Sequence, residues 1–281
     1  MINLTYFGSS RLSVIVLDEL LKFDLKPGLI VTTPDKPQGR KLEIKPNIVK
    51  EWAIAHNIPF ITDLKEIPKE NNELFIVASY GKIIPNEIIE LPKHKTLNIH
   101  PSLLPQYRGA SPLPTAILED TKLTGVTIMQ LDREMDHGPI VAQKRVEILS
   151  WPTYEEFEEM MAIVGARLLV NIMPDWIDGK IKPIEQDHSK ATYTKKIVKE
   201  DALVDLNDAD QYKIFRKIQA YHEWPVAYFF IEHGGKQIRV KITEAEFEKA
   251  EDGAGKLTIK KVIPEGKKEM TFESFKQGYK I

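Results

Sequence analysis

Short apolar runs alternate with amphipathic stretches over roughly the first 180 residues, which predicts alternating strands and helices. Strand-like runs rich in Val, Ile and Leu include INLTYFG, GLIVTT, IPFIT, ELFIVASYG, TLNIH and GVTIMQLD. Helical stretches lie among them, such as SVIVLDELLKF, PNIVKEWAIAHN and SPLPTAILED. Apolar strands separated by helices favour an α/β protein with a doubly wound, mostly parallel sheet covered by helices on both faces.

A long helix is predicted to follow this region. GPIVAQKRVEI is typical of an extended arm, and TYEEFEEMMAIVGARLLVNIMPDWIDG has the spacing of an amphipathic helix. Thr153 is the predicted N-cap of this helix, and Glu156, three residues later, completes a capping box.

The sequence becomes more polar after this helix. Polar, extended residues predict a linker at 184–203 between a catalytic domain at 1–183 and a smaller domain at 204–281. The smaller domain contains one helical stretch, DADQYKIFRKIQAY, and then the strand-like runs AYFFIEHGGKQIRVKI and GKLTIKKVI. Gly234 and Gly235 predict a tight hairpin turn. This pattern favours a small β-barrel or sandwich.

The composition excludes several classes of protein. The sequence contains no cysteine, which excludes disulfides, thiolate metal sites and a cysteine nucleophile. No apolar run approaches the roughly 18–20 residues that span a bilayer. The first residues do not have the basic leader and cleavage site of a secretory signal. We therefore expect a cytoplasmic protein that has no membrane partner, and we expect it to be a monomer.

The net charge is −2, so any attraction for nucleic acid must come from local basic patches. The region from Lys36 to Lys50 is such a patch, with five basic residues and one acid. Two further lysine clusters lie at 195–199 and 256–268. Each cluster taken alone is more often a solvated surface than a binding site.

A doubly wound sheet binds its ligands beyond the carboxyl ends of its strands. The turn after the first strand reads GSSRLS, with one glycine where a dinucleotide-binding loop has three. The sequence also contains no P-loop motif. The dehydrogenase and P-loop classes are therefore excluded, and polar residues at other strand ends are the remaining candidates for a site.

The strand TLNIH ends in such residues. Asn98 and His100 are two positions apart and so point to the same side of the strand, which Pro101 ends. A carboxamide and an imidazole side by side can donate hydrogen bonds to an oxyanion or move a proton, which suits chemistry on a carbonyl group. The alternative is that both side chains only satisfy the backbone of the following loop.

A second polar strand end follows GVTIMQLD, where Asp136 and His137 precede Gly138. If this strand neighbours TLNIH, Asp136 can reach the His100 imidazole and orient it. The sequence has no nucleophilic serine motif, and His100 and His137 lack a metal-binding spacing. We therefore predict no metal, and we expect His137 to face solvent.

Two prolines shape the loop after His100. In PSLLP they prevent a helix and leave the N–H and C=O groups of residues 102–104 without helical partners. A planar heteroaromatic ligand with alternating donors and acceptors can pair with such groups, although the prolines can also simply end a helix. Tyr80 and Gly81 end the apolar strand ELFIVASYG, where the glycine permits close backbone approach to the same ligand.

NIHPSLLPQYRGASP and GVTIMQLDREMDHGPI, together with their separation, resemble the signature of the folate-dependent formyltransferases. The resemblance implies a Rossmann-like catalytic domain with Asn98, His100 and Asp136 as the catalytic residues. It implies 10-formyltetrahydrofolate as the formyl donor and no metal. The folate contacts that it implies are Ser102, Leu103, Leu104 and Pro105. Tyr107 and Arg108 are expected to shape the loop rather than to take part in the chemistry.

VTTPDKPQGRKLEIKPNIVKEWA resembles the tRNA-gripping loop of the branch of this family that formylates methionyl initiator tRNA. YTKKIVKEDALVDL, FRKIQAYHEWPVAY and PEGKKEMTFESFKQGY are similar to the OB-like C-terminal domain of that branch. The resemblance therefore implies formylation of the methionine α-amino group in translation initiation. It implies that Lys36, Arg40 and Lys41 contact tRNA phosphates, aided by lysines of the second domain.

Two alternatives to this function remain open. A formyltransferase acting on an amino-sugar nucleotide would share Asn98, His100 and Asp136 but would not need a basic loop or a lysine-bearing second domain. A catalytically idle RNA-binding protein on the same scaffold would have no physical need for all three residues.

Overall fold

The computed structural model describes residues 2–38, 43–249 and 255–280, and the chain divides into two compact units. The first unit comprises Met1–Pro112, Leu123–Glu147 and Glu158–Thr194. The second unit comprises Leu113–Lys122, Ile148–Phe157 and Lys195–Ile281. Each unit thus combines segments that are distant in sequence, and the domain boundaries expected at residues 183 and 203 stay predictions.

The first unit is built from alternating strands and helices, as the hydrophobic pattern predicts. Its strands are β1 (Leu4–Phe7), β2 (Leu29–Val31), β3 (Lys36–Gln38), β4 (Glu43–Lys45), β5 (Phe60–Ile61), β6 (Leu74–Val77), β7 (Thr96–His100), β8 (Arg108–Gly109), β9 (Leu123–Gln130), β10 (Ile140–Glu147) and β11 (Tyr193–Thr194). The helices up to residue 177 are α1 (Arg11–Leu21), α2 (Ile48–Ala55), α3 (Asn86–Ile89), α4 (Pro112–Leu118) and α5 (Tyr154–Ile177). Most of α4 and the first turn of α5 belong to the second unit.

Seven strands form one mixed sheet in the order β10-β9-β7-β6-β1-β2-β5. The strands from β7 to β5 are parallel, whereas β9 is antiparallel to β7 and β10 is antiparallel to β9. The prediction of a mostly parallel sheet is confirmed. GPIVAQKRVEI, predicted as an extended arm, contains the edge strand β10, whose pairing with β9 no local pattern reveals.

A capping box begins helix α5, and one glycine on it permits close packing. The predicted capping box of α5 is confirmed, since the Glu156 carboxylate accepts the Thr153 N–H at 2.9 Å. A Cβ atom on Gly165 would lie 2.5 Å from Cγ2 of Ile99. The absence of a side chain at Gly165 therefore allows α5 to approach β7, the strand that carries Asn98 and His100.

Helix α5 is long and apolar enough to cross a membrane. A buried core helix of a water-soluble protein can have the same length and hydropathy. Phe157, Met161 and Leu169 on this helix are fully buried within the protein. Glu158 is also buried and pairs with Arg11 at 3.1 Å. This helix is therefore weak support for a membrane span, and the expected lack of a membrane partner stays a prediction.

The second unit contains a small antiparallel sheet with the strand order β12-β13-β14-β15. Its elements are α6 (Gln211–Ala220), β12 (Tyr228–His233), β13 (Lys236–Lys249), β14 (Gly255–Pro264), β15 (Met270–Thr271) and α7 (Phe272–Tyr279). The predicted hairpin turn is confirmed, with positive φ at Gly234 and Gly235. Irregular register near Ile242–Ala245 bends β13, and Ile218, Val262 and Phe275 lie in the buried core. The architecture agrees with the predicted small barrel-like domain.

A polar cluster joins the helical and N-terminal segments of the second unit. The Asp120 carboxylate accepts hydrogen bonds from Trp151 Nε1 at 2.6 Å and from the Tyr212 hydroxyl at 3.0 Å. Lys122 Nζ lies 2.9 Å from the same carboxylate oxygen and above both aromatic rings. Burial acts to raise the pKa of Asp120, but the hydrogen bonds from Lys122, Trp151 and Tyr212 outweigh it and hold the pKa below its usual value.

We expect Asp120→Asn to destabilise the protein at pH 7 and to have a smaller effect in acid. A carboxyl group whose pKa is lowered on folding contributes stability above its unfolded pKa, here 3.8, and loses that contribution as the pH falls through the folded value. Thermal unfolding of both proteins between pH 7 and pH 2 tests this prediction. A difference in unfolding temperature that stays constant below pH 3.8 would contradict it.

Candidate active site

β7 brings Asn98 and His100 to the same side of the sheet, as the sequence predicts. Both are buried, with 9 % of Asn98 and 4 % of His100 exposed. β6 holds one side of β7 in parallel register, with Val77 opposite Asn98, and β9 holds the other side. In the part of the chain that the structure describes, the Asn98 carboxamide has no hydrogen-bond partner. Its amide atoms are not among the buried polar atoms that lack a partner, so they are accessible and can bind a ligand or water.

Each nitrogen of the His100 ring faces an oxygen atom. Nε2 lies 3.0 Å from the carbonyl oxygen of Tyr107. Because a carbonyl can only accept a hydrogen bond, Nε2 is the donor and carries a hydrogen. Nδ1 lies 3.5 Å from Oδ1 of Asp136. Nδ1 is therefore the ring atom that faces the carboxylate.

The expected neighbour relation between the two strands is confirmed, but Asp136 reaches His100 by a different route from the one expected. β9 runs antiparallel to β7, so Gln130 at its end pairs with Leu97 rather than with His100. The loop after β9 then carries Asp136 to the imidazole. Asp136 adopts a left-handed conformation with φ of 53°, which orients its side chain.

The chain segment after the proline loop holds both partners of this pair. Tyr107 offers its carbonyl to His100, and the N–H of Gly109 donates to Oδ2 of Asp136 at 2.7 Å. This second contact leaves Oδ1 of the carboxylate for His100. Arg108, between them, is only 2 % exposed. The prediction that Tyr107 and Arg108 shape the loop agrees with these contacts.

The backbone groups of the proline loop are not available to a ligand in the way the sequence suggests. The Thr127 hydroxyl accepts the N–H of Leu104 at 3.1 Å and donates to the carbonyl of Ser102 at 2.7 Å. Gln143 donates to the carbonyl of Leu104 at 2.8 Å. The predicted lack of helical partners agrees with these contacts. The N–H of Leu104 and the carbonyls of Ser102 and Leu104 are satisfied instead by side chains of β9 and β10, so these three groups are not open to a ligand.

The predicted folate residues differ in exposure. Ser102 and Leu104 are buried, whereas Leu103 and Pro105 are half-buried and present the surface of the loop. The Ser102 hydroxyl donates to the carbonyl of Gln106 at 2.6 Å, which closes the loop on itself. We infer that this loop acts on a ligand through its shape and its half-buried apolar residues.

Tyr80 and Gly81 follow β6 beside this region of the chain. The Tyr80 ring packs edge-on against Phe7 in the core, and burial followed by the nearby Asp63 raises the pKa of its hydroxyl. Its backbone is tied to Ser9, whose hydroxyl donates to the Tyr80 carbonyl at 2.7 Å. Gly81 is exposed and has a positive φ of 73°, which favours glycine. Of the two, only Gly81 presents an open surface.

His137 is only partly exposed to solvent, with 27 % of its side chain accessible. Its ring stacks on that of His188 with 4.0 Å between centroids, and Asp132 accepts from Nδ1 at 2.7 Å. Asp132 and His137 lie on the loop after β9, whereas His188 comes from the segment after α5. Among the described residues, no cluster of three or more metal-ligating side chains occurs. The absence of a metal remains a prediction.

The side chains of Lys36, Arg40 and Lys41 lie outside the described residues, although β3 and β4 on either side of Arg40 pair as an antiparallel hairpin. Two lysines of the second unit are already paired. Lys260 contacts Glu246 at 2.8 Å and Lys261 contacts Glu244 at 2.6 Å. Their charges are therefore partly balanced within the sheet, which lowers their attraction for phosphate.

The site also contains residues that the sequence did not indicate. Thr127 and Gln143 support the proline loop, and Gln186 contacts the loop that carries Asp136. Each lies far in sequence from the group it supports. The one local indication of these supporting residues was a polar residue within an otherwise apolar strand, Thr127 in GVTIMQ.

The end of β7 and the loop after β9 thus bring an imidazole and a carboxylate together, with a carboxamide on the same strand, and these groups suit chemistry on a carbonyl group. Residues 7–173 match the family model described as formyl transferase, and residues 196–256 match the formyl transferase C-terminal domain. The chain therefore belongs to the formyl transferase family, and within it to the methionyl-tRNA formyltransferases, as full-length similarity shows. The resemblance proposed from the sequence is confirmed.

The methionyl-tRNA formyltransferase of Sulfurihydrogenibium sp. is 36 % identical, over 98 % of this chain and 96 % of that protein. A crystal structure of an N-formyltransferase from Helicobacter canadensis with folinic acid and dTDP-3-aminofucose has a TM-score of 0.66 at 21 % identity, covering 89 % of each chain. The methionyl-tRNA formyltransferase from Clostridium thermocellum has a TM-score of 0.60 at 18 % identity, covering 94 % of this chain and 99 % of that one. At these identities, the two structures show a shared fold.

Proposed function

We propose that this protein transfers the formyl group of 10-formyltetrahydrofolate to the α-amino group of methionine on initiator tRNA. The observation that carries the chemistry is the unpartnered Asn98 carboxamide two residues from the His100–Asp136 pair. The full-length similarity to methionyl-tRNA formyltransferases supports the choice of substrate.

Asn98 and His100 act on the formyl oxygen. The amine nitrogen adds to the formyl carbon, which gives a tetrahedral intermediate with a negatively charged oxygen. The Asn98 N–H donates to that oxygen. A hydrogen on His100 Nδ1 also donates to it, since the 3.5 Å contact of Nδ1 with Asp136 is an ion pair without a hydrogen bond. Because Nε2 already donates to the Tyr107 carbonyl, a hydrogen on Nδ1 makes the ring a cation that the Asp136 carboxylate balances.

Asp136 completes the transfer. Its carboxylate accepts the proton that the attacking nitrogen loses, directly or through one water. The tetrahedral oxygen then re-forms the carbonyl as the bond between the formyl carbon and the donor nitrogen breaks. The protonated Asp136 returns its proton, directly or through one water, to that nitrogen as tetrahydrofolate departs, which restores the carboxylate. The Gly109 N–H fixes Oδ2 of Asp136 and so keeps Oδ1 close to the ring during these steps.

The loop that includes Leu103 and Pro105 fits the folate ring system by its shape. A planar pterin needs an apolar surface and a few polar groups. Both residues are half-buried beside β7, and Gly81 adds an open backbone surface after β6. We propose that these residues, with Ser102, Leu104 and Tyr80 behind them, form the folate pocket.

One assay separates the proposed substrate from the amino-sugar alternative. The purified full chain is incubated with 10-formyltetrahydrofolate and either methionyl initiator tRNA or a nucleotide-linked amino sugar, and formylated product is measured by mass spectrometry. We expect product with the tRNA alone. Formylation of the amino sugar alone would overturn the proposed substrate, and formylation of neither would support the idle RNA-binding alternative.

Binding of tRNA is expected to weaken steeply with salt. If Lys36, Arg40 and Lys41 each neutralise one phosphate, a plot of log K against log salt has a slope of about −3. Replacing the three residues with alanine should flatten this slope, whereas the matched double variant Lys65→Ala/Lys69→Ala, both exposed lysines, should keep it. Fluorescence anisotropy with labelled tRNA measures both. An unchanged slope in the triple variant would contradict this assignment.

We also propose that the protein works as a monomer in the cytoplasm. Its proposed substrate, a charged initiator tRNA, is a component of cytoplasmic translation. Elution as a single chain in gel filtration, with and without tRNA, is the expected result.

A further inference from the structure

The segment after α5 packs against residues 107–109, which contact His100 and Asp136. Its strand β11 pairs in parallel with β8, placing Tyr193 opposite Arg108 and Thr194 opposite Gly109. The Thr192 hydroxyl accepts the N–H of Tyr107 at 2.8 Å, and the Thr192 carbonyl accepts the N–H of Arg108 at 2.9 Å. Residues expected to form a linker thus bind the same segment that holds His100 and Asp136.

Arg108, on β8, places a buried positive charge where β8 pairs with β11. In the described part of the chain it forms no ion pair with a carboxylate, which is unusual for a guanidinium that is 2 % exposed. Its Nε and Nη2 atoms instead donate to Oε1 of Gln186 at 3.2 and 2.7 Å. Nη2 also donates to Nδ1 of His188 at 2.8 Å. Neutral acceptors from the segment after α5 therefore satisfy the cation.

Gln186 joins Arg108 to the loop that carries Asp136. It is 4 % exposed, and its Nε2 donates to the carbonyl of Asp136 at 2.9 Å and to the carbonyl of Gly138 at 2.7 Å. These two bonds hold the loop on both sides of His137. Asp136 has a left-handed backbone conformation, which aspartate adopts more readily than most residues, and the Gln186 bond holds its carbonyl in that geometry.

We propose that Gln186 is a positioning residue for formyl transfer, one that holds Asp136 at the distance from His100 that the reaction requires. The proposal rests on the catalytic roles assigned to His100 and Asp136 above. All hydrogen-bonding capacity of the Gln186 amide is used, with Oε1 accepting twice and Nε2 donating twice. Without those two donors the carbonyls of Asp136 and Gly138 lose their partners, and Asp136 is free to relax to an ordinary conformation.

Two substitutions separate the functions of the amide. Gln186→Met keeps the approximate volume but removes both the acceptor and the donors. Gln186→Glu keeps an acceptor for Arg108 but has no hydrogen to donate to the carbonyls of Asp136 and Gly138. If positioning of Asp136 is the role of Gln186, both variants are impaired. If satisfying Arg108 is its main role, Gln186→Glu is close to the unmodified protein.

We expect kcat for formyl transfer to fall about 10–100-fold in both variants, a typical effect of removing a group that orients a reacting residue. KM for the formyl donor and for the tRNA should change by less than about threefold, because neither substrate is bound by Gln186. Gln219→Met is the matched control, since Gln219 is another buried glutamine and donates to the carbonyl of Trp151 in the second unit. Its kcat should be unchanged.

A second measurement reports on the surroundings of His100 in the absence of catalysis. The His100 ring signals in a histidine-labelled NMR spectrum, assigned by their loss in His100→Ala, should move in Gln186→Met and stay in place in Gln219→Met. Circular dichroism confirms that each variant is folded.

A kcat within twofold of the unmodified protein in Gln186→Met or in Gln186→Glu would overturn the proposal. So would a rise in KM at constant kcat, because that would make Gln186 a binding residue. The result for the proposed function is separate. If His100→Ala keeps normal activity, the catalytic assignment fails. If the protein formylates only the amino sugar but both Gln186 variants lower kcat, the proposed substrate is wrong and the positioning role of Gln186 stands.

Discussion

His100→Ala is expected to lower kcat for formyl transfer by about 10²–10³, the usual effect of removing one donor to an oxyanion. The alanine leaves Asn98 without its partner in stabilising the tetrahedral oxygen and leaves Asp136 without the ring that it orients. KM for both substrates should change little, because the ring interacts with the charge that develops in the transition state. Steady-state kinetics with methionyl initiator tRNA and 10-formyltetrahydrofolate measure the effect.

The control for this prediction is His94→Ala. His94 lies before β7 and forms its described hydrogen bonds through its backbone alone. Its N–H donates to the Glu73 carbonyl at 2.7 Å, and its carbonyl accepts from Trp176 Nε1 at 2.8 Å. Its replacement should leave kcat within about twofold. His100→Ala removes a bond to the Tyr107 carbonyl, so circular dichroism must show that the variant is folded. Near-normal turnover by a folded His100→Ala protein would refute the catalytic assignment.

Gly138→Ala is expected to reduce turnover by a similar factor although Gly138 contacts no reacting group. A Cβ atom at this position would lie 2.0 Å from the carbonyl oxygen of Gln130, which is backbone at the end of β9 and cannot move aside cheaply. The loop after β9 must therefore shift and take Asp136 with it. A displacement of about 1 Å in a reacting group can lower the rate by about 10².

A matched glycine tests whether the effect is local. Gly278 lies in α7, and a Cβ atom there would meet nothing within 4 Å. Gly278→Ala should keep full activity and should be neutral or slightly stabilising, because alanine favours helix. The measurement is kcat together with the unfolding temperature of each variant. A Gly138→Ala protein with unchanged kcat would show that the Asp136 loop tolerates movement, against the geometry proposed here.

The local elements of this protein were predictable because their causes are local. The Thr153–Glu156 capping box and the Gly234–Gly235 turn depend on residues within a few positions of one another. The same holds for Asn98 and His100, since strand geometry alone places them on one side. The resemblance to formyltransferases followed from those residues and the motif around them.

The partners of these residues were not predictable in the same way. Thr127 and Gln143, from β9 and β10, form hydrogen bonds with the backbone of Ser102 and Leu104 in the proline loop, and no local pattern in the sequence indicated these partners. His137 was expected in solvent but stacks on His188, because the segment after α5 returns to the first unit. Strand order and the paths of loops decide such contacts, and periodicity carries no information on either.

The amino-acid sequence by itself determined the class of fold, the polar strand end with Asn98 and His100, and the family to which they belong. The tertiary structure decided how Asp136 reaches His100, which nitrogen of the ring faces it, and which residues hold both. The physical reason is the separation in sequence of the interacting residues. Helix caps, turns and strand faces depend on residues that are close in sequence. The hydrogen bonds of Arg108 and Gln186 join segments that only the folded chain brings together.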